Sequence, residues 1–237
     1  AALAGAIFLN RRESHVKGHA HSPANLPFVI LGTGLLWFGW FGFNAGSALS
    51  ANGTATMAFA TTNTASAAAM LGWIFFDWFR GKKPSALGAC IGAVVGLVAI
   101  TPAAGFVTVA QSITIGLVAS VISNVAVHLR TRSTLDDTLD VFPCHGVGGM
   151  TGMIFTGIFA ALPADGSVTR TSLLIAHGKA LVLVSVFAFV GSLLLYKVTD
   201  LIIPLRVTDE QEHEGLDLSQ HGETALGADV FAGAAAS

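Results

Sequence analysis

Residues 140–149 read Asp140-Val141-Phe142-Pro143-Cys144-His145-Gly146-Val147-Gly148-Gly149, an imidazole set inside an apolar segment that runs from 138 to 162. A segment of that length reaches the roughly 20 residues an α-helix needs to cross hydrocarbon. Asp140 enters it near one end. Pro143 lacks an N–H and must either kink the helix or occupy its first turn, where the missing donor costs little. At helical periodicity Val141, His145, Gly148, Gly149 and Gly152 share one face. An ionisable group at membrane depth is costly and marks a candidate functional site; the structural alternative is a neutral imidazole bonded to a neighbouring helix. The glycines bare the same surface, either for a narrow conduit or for a tightly packed helix, and periodicity does not choose between the two.

The remainder of the chain supports a membrane setting. Its 237 residues are 53% hydrophobic and only 11% charged, with a mean hydropathy of +0.69, too apolar for an ordinary soluble domain. Apolar runs at 27–49, 54–79, 86–104, 106–129, 138–162 and 171–204 predict an all-α, polytopic helical membrane protein with six complete spans. Residues 1–9 are apolar but too short to span, and they lack the basic start of a signal peptide, so they read as the end of a further helix. With no initiator Met, the expectation is that sequence upstream of Ala1 is missing.

Charge gives the orientation. Arg11, Arg12 and Lys17 precede the first full span, Arg80, Lys82 and Lys83 follow the second, Arg130 and Arg132 the fourth, and Lys197 and Arg206 the sixth, which places ten of the twelve basic residues on one side. Basic residues in short loops stay cytoplasmic, so the chain beyond 204 is expected in the cytoplasm and the first full span runs outward. The acidic stretch 208–217 and the low-complexity end 225–237 then form a solvated tail. A net charge of -2 offers no nucleic-acid footprint. Cys90 and Cys144 lie alone in different spans and read as buried packing thiols, so neither a disulfide framework nor a metal site is expected, and no cofactor. His15, His19 and His21 resemble a metal tract only loosely and read as part of a solvated loop.

Within the first full span, Leu36, Trp40, Phe43 and Ser47 are spaced by four, three and four, one stripe that ends on a hydroxyl at the outer mouth. Composition alone favours an interfacial aromatic belt with packing residues there. Small polar residues from Thr61 to Ser66 in the second span and the Gly88, Gly92, Gly96 repeat in the third read as helix-packing surfaces. His177 and Lys179, near the outer end of the last span, read as interfacial.

Six stretches now combine: Gly39-Trp-Phe-Gly-Phe-Asn-Ala-Gly-Ser47, Leu71-Gly-Trp-Ile74, Lys83-Pro-Ser-Ala-Leu-Gly-Ala-Cys90, Thr101-Pro-Ala-Ala-Gly105, residues 140–149, and Glu214-Gly-Leu-Asp-Leu-Ser-Gln-His-Gly-Glu-Thr224. In collinear order over almost the whole chain, they resemble the ammonium transporter/Rhesus glycoprotein family, on its bacterial-type branch. Members of that family have about eleven spans, the first five and next five related as an inverted repeat around a pore, and assemble as homotrimers. The resemblance implies that this chain is the second half of that fold, with 1–204 a transmembrane transporter domain, 1–9 the end of a truncated helix, and 205–237 a cytoplasmic tail in the cell membrane's inner aqueous face.

Carried onto this sequence, the resemblance makes Ser47 a residue of the outer vestibule that receives ammonium, Phe43 one ring of a stacked gate, and Trp40 its neighbour between gate and pore. His145 becomes the second of two pore-lining histidines, with Leu36 and Val141 as apolar lining and Asp140 as a structural acid. The first histidine of that pair would lie a few residues upstream of Ala1. The family's mechanism recruits ammonium, removes a proton, and conducts ammonia past the imidazoles. It implies no catalytic residue in the enzymatic sense. A PII-type regulatory protein at the cytoplasmic face is an implied partner, and Leu226 departs from the aromatic often found in family tails. A sensor signalling through the tail is the alternative function. A Cys144–His145 enzyme is disfavoured, because adjacent helical residues point roughly 100° apart.

Overall fold

The computed structural model of the protein describes residues 1–12, 15 and 23–223. Lys17, His19, His21 and residues 224–237, Leu226 among them, lie outside the described residues. The described chain is helical throughout: α1 (Ala2–Leu9), α2 (Leu26–Gly46), α3 (Gly53–Phe79), α4 (Ala86–Ile100), α5 (Val109–Thr131), a π-helical turn (Phe142–Val147) running into α6 (Gly148–Phe159), α7 (Arg170–Ile202), and in the tail α8 (Asp209–Glu214) and a second π turn (Asp217–His221).

The long helices begin where a short polar side chain replaces the missing backbone acceptor. Asn25 accepts from Phe28 N, Asn52 from Ala55 N, and Ser85 from Gly88 N. Thr108 with Gln111, Thr169 with Ser172 and Thr208 with Gln211 close reciprocal capping boxes. Of the six expected spans, three (α2, α5 and α7) are both long and apolar enough to cross a membrane. The others differ for separate reasons. α3 is 27 residues long but diluted by Thr61, Thr62, Asn63, Thr64 and Ser66; α4 closes after 15 residues because Pro102 follows; the fifth segment divides into a π turn and a 12-residue α-helix.

The core lies where α3, α4, α5 and α6 touch, and small residues make the contact possible. A Cβ on Gly116 of α5 would strike the carbonyl of Ala65 in α3, and one on Gly152 of α6 would strike the carbonyl of Ala99 in α4. Ser66 donates across the α3–α4 contact to Ala93 O at 2.9 Å. Val95, Ala99, Ile100, Ile115 and Ala119 are fully buried there. The flanking helices behave differently: α2 buries only Asn44 and α7 buries no residue. α1 lies on α7, with Phe8 stacked on Tyr196 at 5.9 Å and Gly5 facing the Tyr196 hydroxyl.

The basic end of the bundle is tied by guanidinium groups. Arg206 donates to the carbonyl of Leu9 (2.8 Å), which ends α1, to that of Arg11 (3.0 Å) just beyond it, and to Glu212 Oε2 at 2.6 Å. A cation at these carbonyls also opposes the negative end of the helix dipole. Arg12 binds Asp136 by its Nε (2.8 Å), Nη2 (2.7 Å) and backbone N (3.0 Å), with His15 Nδ1 at 3.6 Å. These hydrogen bonds hold the Asp136 carboxyl well below the usual carboxylate range.

Two outcomes follow. Gly→Ala inside a helix ordinarily stabilises, yet Gly116→Ala and Gly152→Ala should each cost about 1–3 kcal/mol through overpacking; a raised thermal midpoint in detergent would contradict the contact. Asp136→Asn should cost about 2 kcal/mol at neutral pH. Because the native carboxyl titrates below its unfolded value of about 3.9, the wild-type advantage should be full at pH 6 and shrink only below about pH 4. Thermal unfolding of both proteins across that range checks this, and an advantage that vanished above pH 5 would refute it.

Candidate functional site: the His145 cavity and the outer stripe

The turn that carries His145 is built from its beginning. Asp137 is buried, and its carboxylate accepts from Val141 N at 3.1 Å and Phe142 N at 2.7 Å, supplying the acceptors that a helix start lacks. Pro143 therefore sits in the first turn rather than kinking an established helix. Asp140 adopts a left-handed backbone, φ 52°, and its carboxylate accepts from Arg130 Nε at 2.8 Å and Nη2 at 2.5 Å. From Phe142 to Val147 the winding is π-helical, looser than α.

That winding divides the face expected from periodicity. Val141, His145 and Gly149 line a cavity of about 770 Å³, together with Phe142 and Met150 and, across the gap, Ala1 to Leu3 of the chain start and residues 184–186 and 188–190 of α7. Gly148 and Gly152 are buried against the other side, Gly148 beside Ser123, Val95 and Val98, and Gly152 on Ala99. The glycines left open by the sequence thus serve both ends: Gly146 and Gly149 widen the cavity wall, and Gly148 and Gly152 admit a helix. His145 itself is exposed to the cavity, and its imidazole forms no hydrogen bond with another described residue. Cys144, its neighbour, is buried in the bundle on the opposite side, so the two side chains form no dyad.

The outer stripe is assembled on α2. Asn44 donates to Thr62 Oγ1 at 2.9 Å and Phe41 stacks on Phe59 at 4.1 Å, which together pin this half of α2 to α3. Trp40 donates from Nε1 to Thr101 Oγ1 at 2.8 Å and meets Phe43 edge to face, 78° between planes at 5.8 Å. Phe43 is 61% exposed and Leu36 45%. Ser47 is exposed, and its hydroxyl donates to Phe43 O at 2.8 Å, leaving the oxygen's lone pairs as acceptors towards the surroundings. Trp40, Phe43 and Ser47 thus come together, whereas no α2 residue lines the His145 cavity.

Three residues of the arrangement escape the periodicity reading. Asp137 had a signal, since an acid just before an apolar run is a helix-start cue. Asp136 and Thr101 act through partners 124 and 61 residues away, which no local pattern contains. Among the described residues no group of three or more His, Cys, Asp or Glu is placed to hold a metal ion. His177 packs its ring against Gly157, between α6 and α7.

Residues 1–226 match the model of the Ammonium Transporter Family. The ammonium transporter of Bacillus subtilis is 47% identical over 232 residues, covering 95% of this chain and 57% of that protein. Ammonium transporter Amt1 of Archaeoglobus fulgidus is 42% identical over 229 residues, covering 95% and 58%. Among solved structures, that of a Sensor Amt Protein superimposes with a TM-score of 0.83 at 30% identity, over 92% of this chain and 56% of the other. Mep2 of Saccharomyces cerevisiae gives 0.76 at 35% identity, over 88% and 50%. The chain spans somewhat over half the length of these curated relatives. With a family match that runs from its first residue almost to its last, on an all-helical fold shared with solved Amt and Mep2 structures, the chain belongs to the ammonium transporter family.

Proposed function

We propose that the protein moves ammonium nitrogen across the cell membrane by recruiting ammonium at an outer mouth, removing a proton, and passing ammonia along an apolar path that His145 lines. The observation that carries this reading is the His145 imidazole standing in the wall of a largely apolar cavity with no hydrogen bond to another described residue. Ser47 offers acceptor lone pairs to the N–H groups of ammonium, and the exposed Phe43 face beside Trp40 adds cation–π attraction of about 0.5–2 kcal/mol. That attraction falls far short of the cost of taking a full charge into hydrocarbon, so the proton is left behind before the deep part of the path. An imidazole suits the path because each ring nitrogen can donate or accept, giving ammonia a polar foothold without a fixed charge. Leu36 and Val141 serve as apolar lining. Asp140, committed to Arg130, holds the entry to the π turn and takes no part in proton transfer.

In this reading residues 1–204 form the transmembrane unit, 205–237 the cytoplasmic tail, and the cavity that His145 shares with Ala1 to Leu3 belongs to the path. Homotrimeric assembly and docking of a PII-type protein at the cytoplasmic face belong to the same reading. A sensing role is the second reading, favoured by the likeness to the Sensor Amt Protein and by the tail's tie to α1 through Arg206. Ammonium-dependent partner binding with no uptake would select it.

His145→Leu, made in the protein expressed from its natural reading frame and reconstituted in vesicles, should lower methylammonium uptake by about tenfold or more with the fold retained; undiminished uptake would refute the role. Ser47→Ala should weaken apparent affinity by roughly threefold to tenfold while leaving the saturated rate nearly unchanged. A drop confined to the saturated rate would remove Ser47 from recruitment.

A further inference from the structure

Thr101 closes α4 and begins the stretch Thr101-Pro102-Ala103-Ala104-Gly105, which the transport reading leaves without a role. Its hydroxyl is doubly engaged. Oγ1 donates to Leu97 O at 2.8 Å, one turn back, and accepts from Trp40 Nε1 at 2.8 Å. A hydroxyl has a single hydrogen, so with that hydrogen committed to Leu97 the lone pairs are aimed at the indole. The platform beneath is stiff. Pro102 ends the helix, Ala103 N and Ala104 N both bond Ile100 O at 2.8 and 2.7 Å, and Ala103, Ala104 and Val107 are buried. Trp40, by contrast, belongs to a helix that buries only Asn44. The indole is therefore tied to α4 by a directional bond at its Nε1. Trp40 then fixes its neighbour, since Phe43 meets it edge to face while 61% exposed.

We propose that Thr101 is the positioning residue of the Trp40–Phe43 pair, its oxygen setting the indole and, through it, the angle at which the Phe43 ring is presented at the outer mouth. This rests on the transport reading, which gives Phe43 its task. Thr101 is assigned no contact with the transported species. Its action is mechanical: it holds one ring so that the next is held. The hydrogen-bond geometry also predicts which substitutions matter. Valine keeps the shape and removes the acceptor, whereas serine keeps the acceptor and loses only a methyl group.

The test uses Thr101→Val and Thr101→Ser in the protein expressed from its natural reading frame, labelled with 5-fluorotryptophan. The Trp40 signal is assigned by a Trp40→Phe replacement. Thr101→Val should shift the Trp40 fluorine signal and lower methylammonium uptake about tenfold, and Thr101→Ser should restore both towards wild type. An unmoved Trp40 signal in Thr101→Val overturns the proposal whatever uptake does. So does a serine variant as impaired as the valine one, which would mark Thr101 as a packing residue at the helix end. Absence of uptake in the unsubstituted protein would sink the transport reading alone, because the fluorine signal still decides whether Thr101 orients Trp40.

Discussion

The close approach of α6 to α4 at Gly152 and Ala99 is the constraint on which the rest depends. Backbone lies on backbone there, leaving no room for a side chain, so the rotation of α6 about its own axis is fixed. Everything earlier on the same helix inherits that rotation. With Gly148 and Gly152 directed into the bundle, a regular α-helix would carry His145 on much the same side. The π turn loosens the winding before Gly148 and turns the imidazole to the cavity. Asp137 stabilises the start of that turn and Arg130 holds Asp140 just ahead of it. Packing, winding and capping thus act in series on one side chain.

The two flanking helices are organised by the opposite principle. α2 and α7 expose long apolar surfaces and are held at a few polar or aromatic points. Asn44 on Thr62, Trp40 on Thr101 and Phe41 on Phe59 fix the outer half of α2; Tyr196 on Phe8 and Gly5 fixes α7 to α1. Apolar surface gives no preference for one rotation of such a helix in lipid, because acyl chains are as apolar as leucine. Directional bonds supply it. This is why the residues that orient the outer stripe are a threonine and an asparagine rather than larger hydrophobic groups.

Much of the fold is written locally. Asn25, Asn52, Ser85, Thr108 and Thr169 stand just before apolar runs and cap helices there, and the Gly88, Gly92, Gly96 repeat packs on α3 through Trp73 and the Ala65 and Ala69 carbonyls. The spacing of Trp40, Phe43 and Ser47 likewise carries over, since an unbroken helix preserves it. What local pattern misses is nonlocal or irregular. The face from Val141 to Gly152 divides because π winding displaces its first half, and because Gly149 lies roughly 60–100° round the following α-helix from Gly148 and Gly152. The roles of Thr101 and Asp136 require partners that only tertiary packing brings near. Hydroxyl-rich α3 and short α4 lie inside the bundle, where neighbouring helices meet much of their surface, so α3 is less uniformly apolar than α2, α5 and α7.

The central claim is that ammonium gives up a proton before it passes His145. Potassium and rubidium match ammonium in charge and nearly in size, but neither has a proton to give. The most direct measurement is therefore rubidium flux beside methylammonium flux in the same vesicles, with the protein expressed from its natural reading frame. The account predicts methylammonium uptake with rubidium flux no greater than in protein-free vesicles. Rubidium carried at a rate comparable to methylammonium would show that an intact cation crosses, and would contradict it.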